Sequence, residues 1–277
     1  MPSSILCPNC RKLIAADEER CPYCGLGHPA ARWRRGFLSL FRLDAETTIR
    51  DIVYLNAALY AISLVLIPSR LGFSANPLGL LSPSDQSLLL LGATGTMPIN
   101  GLHRWWSVIS ANYLHGSLLH IFFNMAALWQ IGPLVIQEYG VHRMVTLYTL
   151  AGTLGFVVSY IAGVPLTIGA SAAISGLIGA GLYYGRSRGG TYGQALYQRL
   201  LGWAIGLFLF GFMAQGINNW GHAGGMGAGF LLARVLGYQE RSRESRAHRW
   251  AAAACVLSTL AVLLWAVGTA VVYRFLG

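Results

Sequence analysis

The sequence predicts an all-α polytopic membrane protein preceded by a small cysteine-rich head. Three observations carry that fold class. Of 277 residues, 55% are apolar and only 11% are charged, with a mean hydropathy of +0.51, whereas a soluble domain carries about 25% charged residues. Several uncharged runs are long enough for bilayer-spanning helices of about 20 residues. The basic residues fall almost entirely on one side of the membrane that those runs imply. So little charge excludes a water-soluble enzyme.

The uncharged runs are 52–69 (18 residues), 105–137 (33), 144–185 (42), 200–233 (34) and 250–273 (24). The first and last each fit one helix. The run 144–185 holds two, broken at Gly163-Val164-Pro165-Leu166-Thr167-Ile168-Gly169, and 200–233 holds two, broken around Gln215–Trp220, because Gly, Pro and Asn clusters punctuate helices. The run 105–137 begins amphipathic and leaves one span from about Ser117. Seven helices result, near 52–68, 117–137, 143–162, 169–185, 200–215, 221–237 and 250–273.

Orientation follows from the 20 Lys+Arg, which face only 10 Asp+Glu. With the N-terminus in the cytoplasm, 17 of the basic residues lie inside and only Arg70, Arg104 and Arg274 lie outside. That is the positive-inside pattern, and losing one helix would swap every later loop. The net charge of +10 is thereby assigned to the bilayer surface, and no nucleic-acid partner is expected. The expected location is a bacterial cytoplasmic membrane. The connection from Ser69 to Leu114 is too long for a turn. It is apolar at Leu88–Leu91 and carries Pro77, Pro83, Pro98 and Trp105-Trp106, so it is expected to lie partly in the outer leaflet.

Residues 1–30 form the head. Cys7, Cys10, Cys21 and Cys24 stand in two Cys-Pro-x-Cys repeats ten residues apart, the spacing of a structural four-thiolate zinc site. So short a segment cannot bury a core, so the metal would supply the folding energy. A disulfide pair is disfavoured in a reducing compartment. A basic linker, 31–50, follows. Cys255, in the last helix, reads as a small apolar residue.

Polar groups inside spans are expensive and point to function. Acids are nearly absent there, and Glu138 alone approaches a span, which excludes a paired-aspartate protease and disfavours a carboxylate proton relay. What remains is His115, His120 and Asn124 near the second helix, Ser171 and Ser175 in the fourth, and His222 in the sixth. These helices all start from the outer face, so His120, Asn124, Ser171 and His222 share one depth. His120 and Asn124, four apart, lie on one helical face. Ten of the thirteen residues 169–181 are Gly, Ala or Ser, and seven of the nine residues 221–229 are Gly or Ala. Small residues let backbones approach, so the fourth and sixth helices should touch where Ser171 and His222 sit. Two readings fit at this point. Ser and His are interhelical glue, or a Ser within reach of a His is an activated nucleophile. In the second reading the first-turn amides of the Ser171 helix, with His120 and Asn124, would hold an oxyanion. Metal catalysis is disfavoured, because His115 and His120 do not make a His-Glu-x-x-His motif.

Three ordered stretches then resemble the rhomboid family of intramembrane serine proteases: His115-Gly-Ser-Leu-Leu-His120-Ile-Phe-Phe-Asn124, Gly169-Ala-Ser171-Ala-Ala-Ile-Ser-Gly176, and Gly221-His222-Ala-Gly-Gly225 continuing to Gly229. The resemblance runs from about residue 52 to 238. It implies a six-helix rhomboid-like bundle over 51–238, with 239–277 adding a basic loop and a seventh helix. It also implies Ser171 as nucleophile, His222 as general base, and His120 and Asn124 as the oxyanion-stabilising pair. Ala172 stands where the family has Gly, and Ser107 where the family's Trp-Arg pair has Arg; neither removes a catalytic group. Ser175 reads as a packing residue. His115 either lines the mouth of the site or caps a helix, and His28, His103, His142 and His248 read as loop residues. The implied function is a serine endopeptidase needing no cofactor for catalysis and acting on transmembrane protein substrates within the lipid bilayer. A catalytically inactive membrane-protein binding factor is the alternative. A transporter is third, for it would want ionisable groups near midplane. Nothing in the sequence names a partner for the head.

Overall fold

The computed structural model describes residues 4–7, 9–30, 43–68, 79–214 and 216–276. It divides into two compact units, Met1–Leu43 and Asp44–Gly277.

The head is built from β1 (Ser4–Leu6) and β2 (Leu13–Ala15), an antiparallel pair with Leu6 opposite Leu13. Two turns of the same design follow the two cysteine repeats. The Cys7 amide donates to Lys12 O (2.9 Å) while Cys7 O accepts from the Arg11 amide (2.9 Å); Cys21 repeats both bonds with Leu26 and Gly25 (2.8 Å each). The residue four after each leading cysteine is left-handed, Arg11 at φ 58 and Gly25 at φ 70. Cys7, Ile14, Cys21 and Leu26 form the head's small core.

The larger unit holds seven helices of 18 residues or more among the described residues: α1 (Ala45–Leu66), α4 (Leu118–Tyr139), α5 (Val141–Ile161), α6 (Ser171–Arg188), α7 (Gly190–Met213), α8 (Asn219–Leu236) and α9 (Arg246–Leu276). Two short ones, α2 (Asp85–Leu90) and α3 (Ser107–Ser110), lie in the first long connection. Five of the long helices are apolar and long enough to cross a membrane: α1, α4, α5, α7 and α9. α6 and α8 are the two shortest, at 18 residues each, and are rich in Gly. They occupy the centre: α8 packs on both α5 and α6, and α6 also meets α7 and α4. Every residue from Ala172 to Gly181 is buried.

Small residues make that crossing possible. A methyl added at Gly225 or Gly229 would overlap the Ala172 and Gly176 carbonyls of α6, so the two backbones are in direct contact. The departure at Ala172 is accommodated beside Ala111 and Phe156, facing Gly155 across the interface.

Several helix bounds differ from the sequence expectation. α1 starts at Ala45 rather than near 52, and α7 starts at Gly190 rather than near 200. Charge-free counting marks the apolar part of a helix, not the polar turns at its end. What replaces the expected loop between α6 and α7 is Gly189 at φ 66 and Gly190 at φ 67, a reversal that residues without a Cβ make at no steric penalty. α9 runs from Arg246 to Leu276, a turn longer at its start than expected. Pro77 and Gln215 lie outside the described residues.

The first long connection is described from residue 79 onward. Its Arg anchor is Arg104, whose Nη1 donates to Leu89 O at 2.7 Å while its guanidinium lies 5.9 Å from the Trp106 ring. Ser107, in the position where an Arg was expected, is buried and donates to Thr94 Oγ1 at 2.9 Å. This arginine stands two residues ahead of the Trp106 whose ring it faces.

Candidate functional site

The site lies where α6 and α8 begin. Ser171 is the first residue of α6 and His222 the fourth of α8. Ser171 Oγ and His222 Nε2 are 2.9 Å apart. The imidazole is 3% exposed, and its Nδ1 has no partner among the described residues. If Nε2 accepts from the serine hydroxyl, the ring proton sits on that unpartnered Nδ1. The pair is a dyad, with no carboxylate behind the histidine among the described residues. The Phe208 ring of α7 packs edge-on to the imidazole, centroids 6.5 Å apart.

Ser171 opens its helix after Ala170, which offers no side-chain cap. The first-turn amides therefore remain available to an external acceptor. Gly169, at φ +125, brings the chain into that turn, and a methyl on it would sit 2.7 Å from His120 Nε2 and 3.6 Å from Ser171 Oγ. Glycine there keeps open a gap bordered by the serine hydroxyl and the histidine ring.

His120 has its tautomer fixed. Its Nδ1 accepts from the Gly116 amide at 3.2 Å, so the neutral ring carries its proton on Nε2, the nitrogen facing the gap. Ser117 caps α4 by accepting from the His120 amide. Asn124 donates one Nδ2 hydrogen to His120 O at 2.8 Å, which leaves one amide hydrogen for another acceptor. His115 is fully buried, with its ring 5.0 Å from that of His120, and neither of its nitrogens has a partner among the described residues. Ser175 is buried and donates to Ser171 O at 2.7 Å, a hydroxyl tied into its own helix.

Other groups were missed or misplaced by sequence reasoning. Asn218 caps α8, accepting from the Gly221 amide; an Asn just before a small-residue helix is a start signal that could have found it. His142 belongs to the first turn of α5, not to a loop, and its Nδ1 pairs with Glu244 at 2.9 Å. Glu244 also accepts from the His142 and Arg143 amides at 2.8 and 3.0 Å. Burial pushes the Glu244 carboxyl up, but these bonds outweigh it and the net shift is downward. No local signal links residues 142 and 244.

In the head, the Cys7, Cys10, Cys21 and Cys24 sulfurs all lie within 4.8 Å of one another and could hold a metal ion. Cys7–Cys24 is 3.7 Å and Cys10–Cys21 3.6 Å. Zinc–thiolate bonds of about 2.3 Å give a tetrahedral edge of about 3.8 Å, so the donor set fits. Burial pushes the Cys7 thiol up to about 12. At Cys24 burial also raises the pKa, but hydrogen bonds from the Asn9 side chain and the Leu26 amide outweigh it and bring the thiol to about 6.

The Rhomboid domain matches residues 102–239. The chain is 33% identical to Rhomboid protease GluP of Bacillus subtilis (strain 168) over 161 residues, 56% of this chain and 31% of that one. It is 31% identical to RHOMBOID-like protein 2 of Arabidopsis thaliana over 214 residues, 72% and 67% of the two chains. It is 31% identical to Inactive RHOMBOID-like protein 8 of Arabidopsis thaliana over 156 residues, 55% and 43%. The chain thus spans about a third of the Bacillus relative and roughly half to two thirds of the plant ones. With 31% identity across two thirds of the length of that Arabidopsis protein 2, and the Rhomboid domain matched over 102–239, the chain belongs to the rhomboid family.

Proposed function

We propose that this protein is an intramembrane serine endopeptidase that cleaves peptide bonds in or near transmembrane helices through a Ser171–His222 dyad. The observation that carries the proposal is the 2.9 Å contact between Ser171 Oγ and His222 Nε2 at a crossing of two small-residue helices. His222 Nε2 takes the serine proton as Oγ attacks the scissile carbonyl. The tetrahedral oxyanion is held by His120 Nε2–H, the free Asn124 amide hydrogen and the first-turn amides of α6. His222 then gives its proton to the leaving amine, and an acyl-enzyme remains. Water, deprotonated by the same nitrogen, releases the second product and restores the serine. All of this starts from neutral histidines, His222 carrying the extra proton only between the two transfers, and needs no cofactor.

The architecture goes with a six-helix core, α1 and α4 to α8, and an added seventh helix, α9. The N-terminus would lie in the cytoplasm, as the positive-inside pattern indicates. Residues 1–30 make a zinc-ribbon-like head, with zinc held by the thiolates of Cys7, Cys10, Cys21 and Cys24 as a closed structural site. A basic linker over 31–50, whose last residues already belong to α1, the core over 51–238, and a basic loop with the seventh helix over 239–277 complete the domain plan.

The test incubates purified protein, in detergent and in liposomes, with a panel of single-span substrates beside Ser171→Ala. Cleavage lost in the variant supports the proposal. A second reading, an inactive membrane-protein binding factor, draws on the similarity to an inactive relative. Substrate binding without cleavage by the wild type would favour it.

A further inference from the structure

A catalytic imidazole is ordinarily oriented by a carboxylate on its second nitrogen, and His222 has none among the described residues. Its orientation must come from where α8 sits relative to α6. One side chain ties the start of α8 to α5 and to the segment leading into α6. Asn218 caps α8 through Oδ1, which accepts from the Gly221 amide at 2.9 Å, while its Nδ2 donates to Ser159 Oγ of α5 at 2.7 Å and to Thr167 Oγ1 at 2.9 Å. Both amide hydrogens and the carbonyl are therefore engaged.

The two ends of the Asn218–Thr167 bond are each four residues ahead of a reacting group. His222 follows Asn218, whose carbonyl accepts the His222 amide at 3.2 Å. Ser171 follows Thr167. Thr167 is itself fixed, since its backbone pairs with Thr94 through bonds of 2.7 and 3.1 Å. Ser159 is buried and donates to Gly155 O at 3.0 Å, so the cap is anchored to α5 as well.

We propose that Asn218 is the positioning residue of the dyad: by bridging the cap of α8 to Thr167 and Ser159, it sets the register in which Ser171 and His222 meet. The proposal rests on the hydrolase reading above. It assigns Asn218 no contact with substrate. Its effect passes through the His222 ring, and so through kcat rather than substrate binding.

The test uses the full-length protein in detergent. Asn218→Ser keeps a capping oxygen for Gly221 but is too short to reach either hydroxyl. Thr167→Val keeps the volume and removes the acceptor. Each should lower kcat on a single-span substrate by about 10- to 100-fold, the usual consequence of misplacing a reacting group by about 1 Å, with KM nearly unchanged. Phosphonylation of Ser171 by a small fluorophosphonate should slow in the same proportion. The double variant should be no slower than the worse single one, because either change removes the same bond. An unchanged kcat in Thr167→Val, or losses that multiply in the double variant, would overturn the proposal. Thr167→Val carries the test alone if Asn218→Ser does not accumulate folded. A wild type that neither cleaves nor takes the label overturns the hydrolase reading instead. The bridge is then judged by hydrogen exchange: Thr167→Val should speed exchange of the amides at 219–222, and unaltered exchange there sinks it.

Discussion

Gly169→Ala should abolish most activity without unfolding the bundle. The added methyl would lie 2.7 Å from His120 Nε2, 3.0 Å from His120 Cε1 and 3.6 Å from Ser171 Oγ. Carbon and nitrogen do not approach that closely, so the ring must move by several tenths of an ångström, away from the position where its N–H meets the oxyanion. Removing one oxyanion donor typically lowers the rate by about 10²–10³, or about 3–4 kcal/mol of transition-state stabilisation. Ala at φ +125 adds about 1–3 kcal/mol of backbone strain to the folded state, less than the whole stability of a domain. The assay compares kcat for a single-span substrate in Gly169→Ala, His120→Ala and the double variant, with thermal melting as a control. Because the methyl acts by displacing His120, the double variant should match His120→Ala to within about threefold. Activity of Gly169→Ala near the wild-type level would refute the reasoning. So would independent, multiplying losses, which would mean that Gly169 acts on something other than the His120 ring.

Three further outcomes are expected. Cuts should map toward the outer end of substrate helices and favour sites weakened by Gly or Pro, since a helical amide must be unwound before attack; moving a helix-weakening pair stepwise along a test substrate checks this, and cuts at the cytoplasmic end would count against the topology. Chelation, or Cys10→Ser, should release one zinc and unfold residues before about 30 while the helical unit keeps its melting midpoint; a truncation of that segment retaining one equivalent of zinc would disprove the assignment. Glu244→Gln should lower stability by about 1–2 kcal/mol through loss of a charged cap at the start of α5. Since the folded carboxyl has its pKa lowered, the wild-type contribution is present above the ordinary carboxylate range and is lost as pH falls through the lowered folded value; melting of Glu244→Gln should lack that acid limb.

Much of the site was legible because its chemistry is local. Ser171 with Gly169, and His120 with Asn124, are motifs within one turn of chain, and the scarcity of charge in the runs fixed which helices could exist. What escaped the sequence was non-local or unsigned. The Glu244 cap on α5 joins residues about a hundred apart, and periodicity carries no trace of it. Arg104 ties the loop down from three positions ahead of Ser107, where an arginine was expected, and a motif aligned residue by residue reads that as an absence. The early starts of α1 and α7 were missed because polar helical turns and loops look alike to a count of charges. The tautomer of His120 needed the Gly116 amide, a backbone donor that no residue type announces.

The two helices that are least apolar by length and composition are the two that carry the candidate dyad, and the two facts have one cause. A helix built to be recognised by lipid is lined with large apolar side chains, which keep a neighbouring backbone about 8–10 Å away. A serine has a short side chain, and a histidine without a carboxylate has no partner to draw it into place. For Oγ and Nε2 to reach hydrogen-bonding distance, the α6 and α8 backbones must nearly touch. Gly225 and Gly229 against the Ala172 and Gly176 carbonyls provide that approach. The same substitution of large side chains by small ones removes the hydropathy by which a span is detected. α6 compensates by being buried throughout Ala172–Gly181, so α4, α5, α7 and α8, rather than its own composition, shield it from the bilayer. A dyad placed at a helix crossing thus belongs in the interior of a bundle, and the site's depth and its small residues follow from one packing requirement.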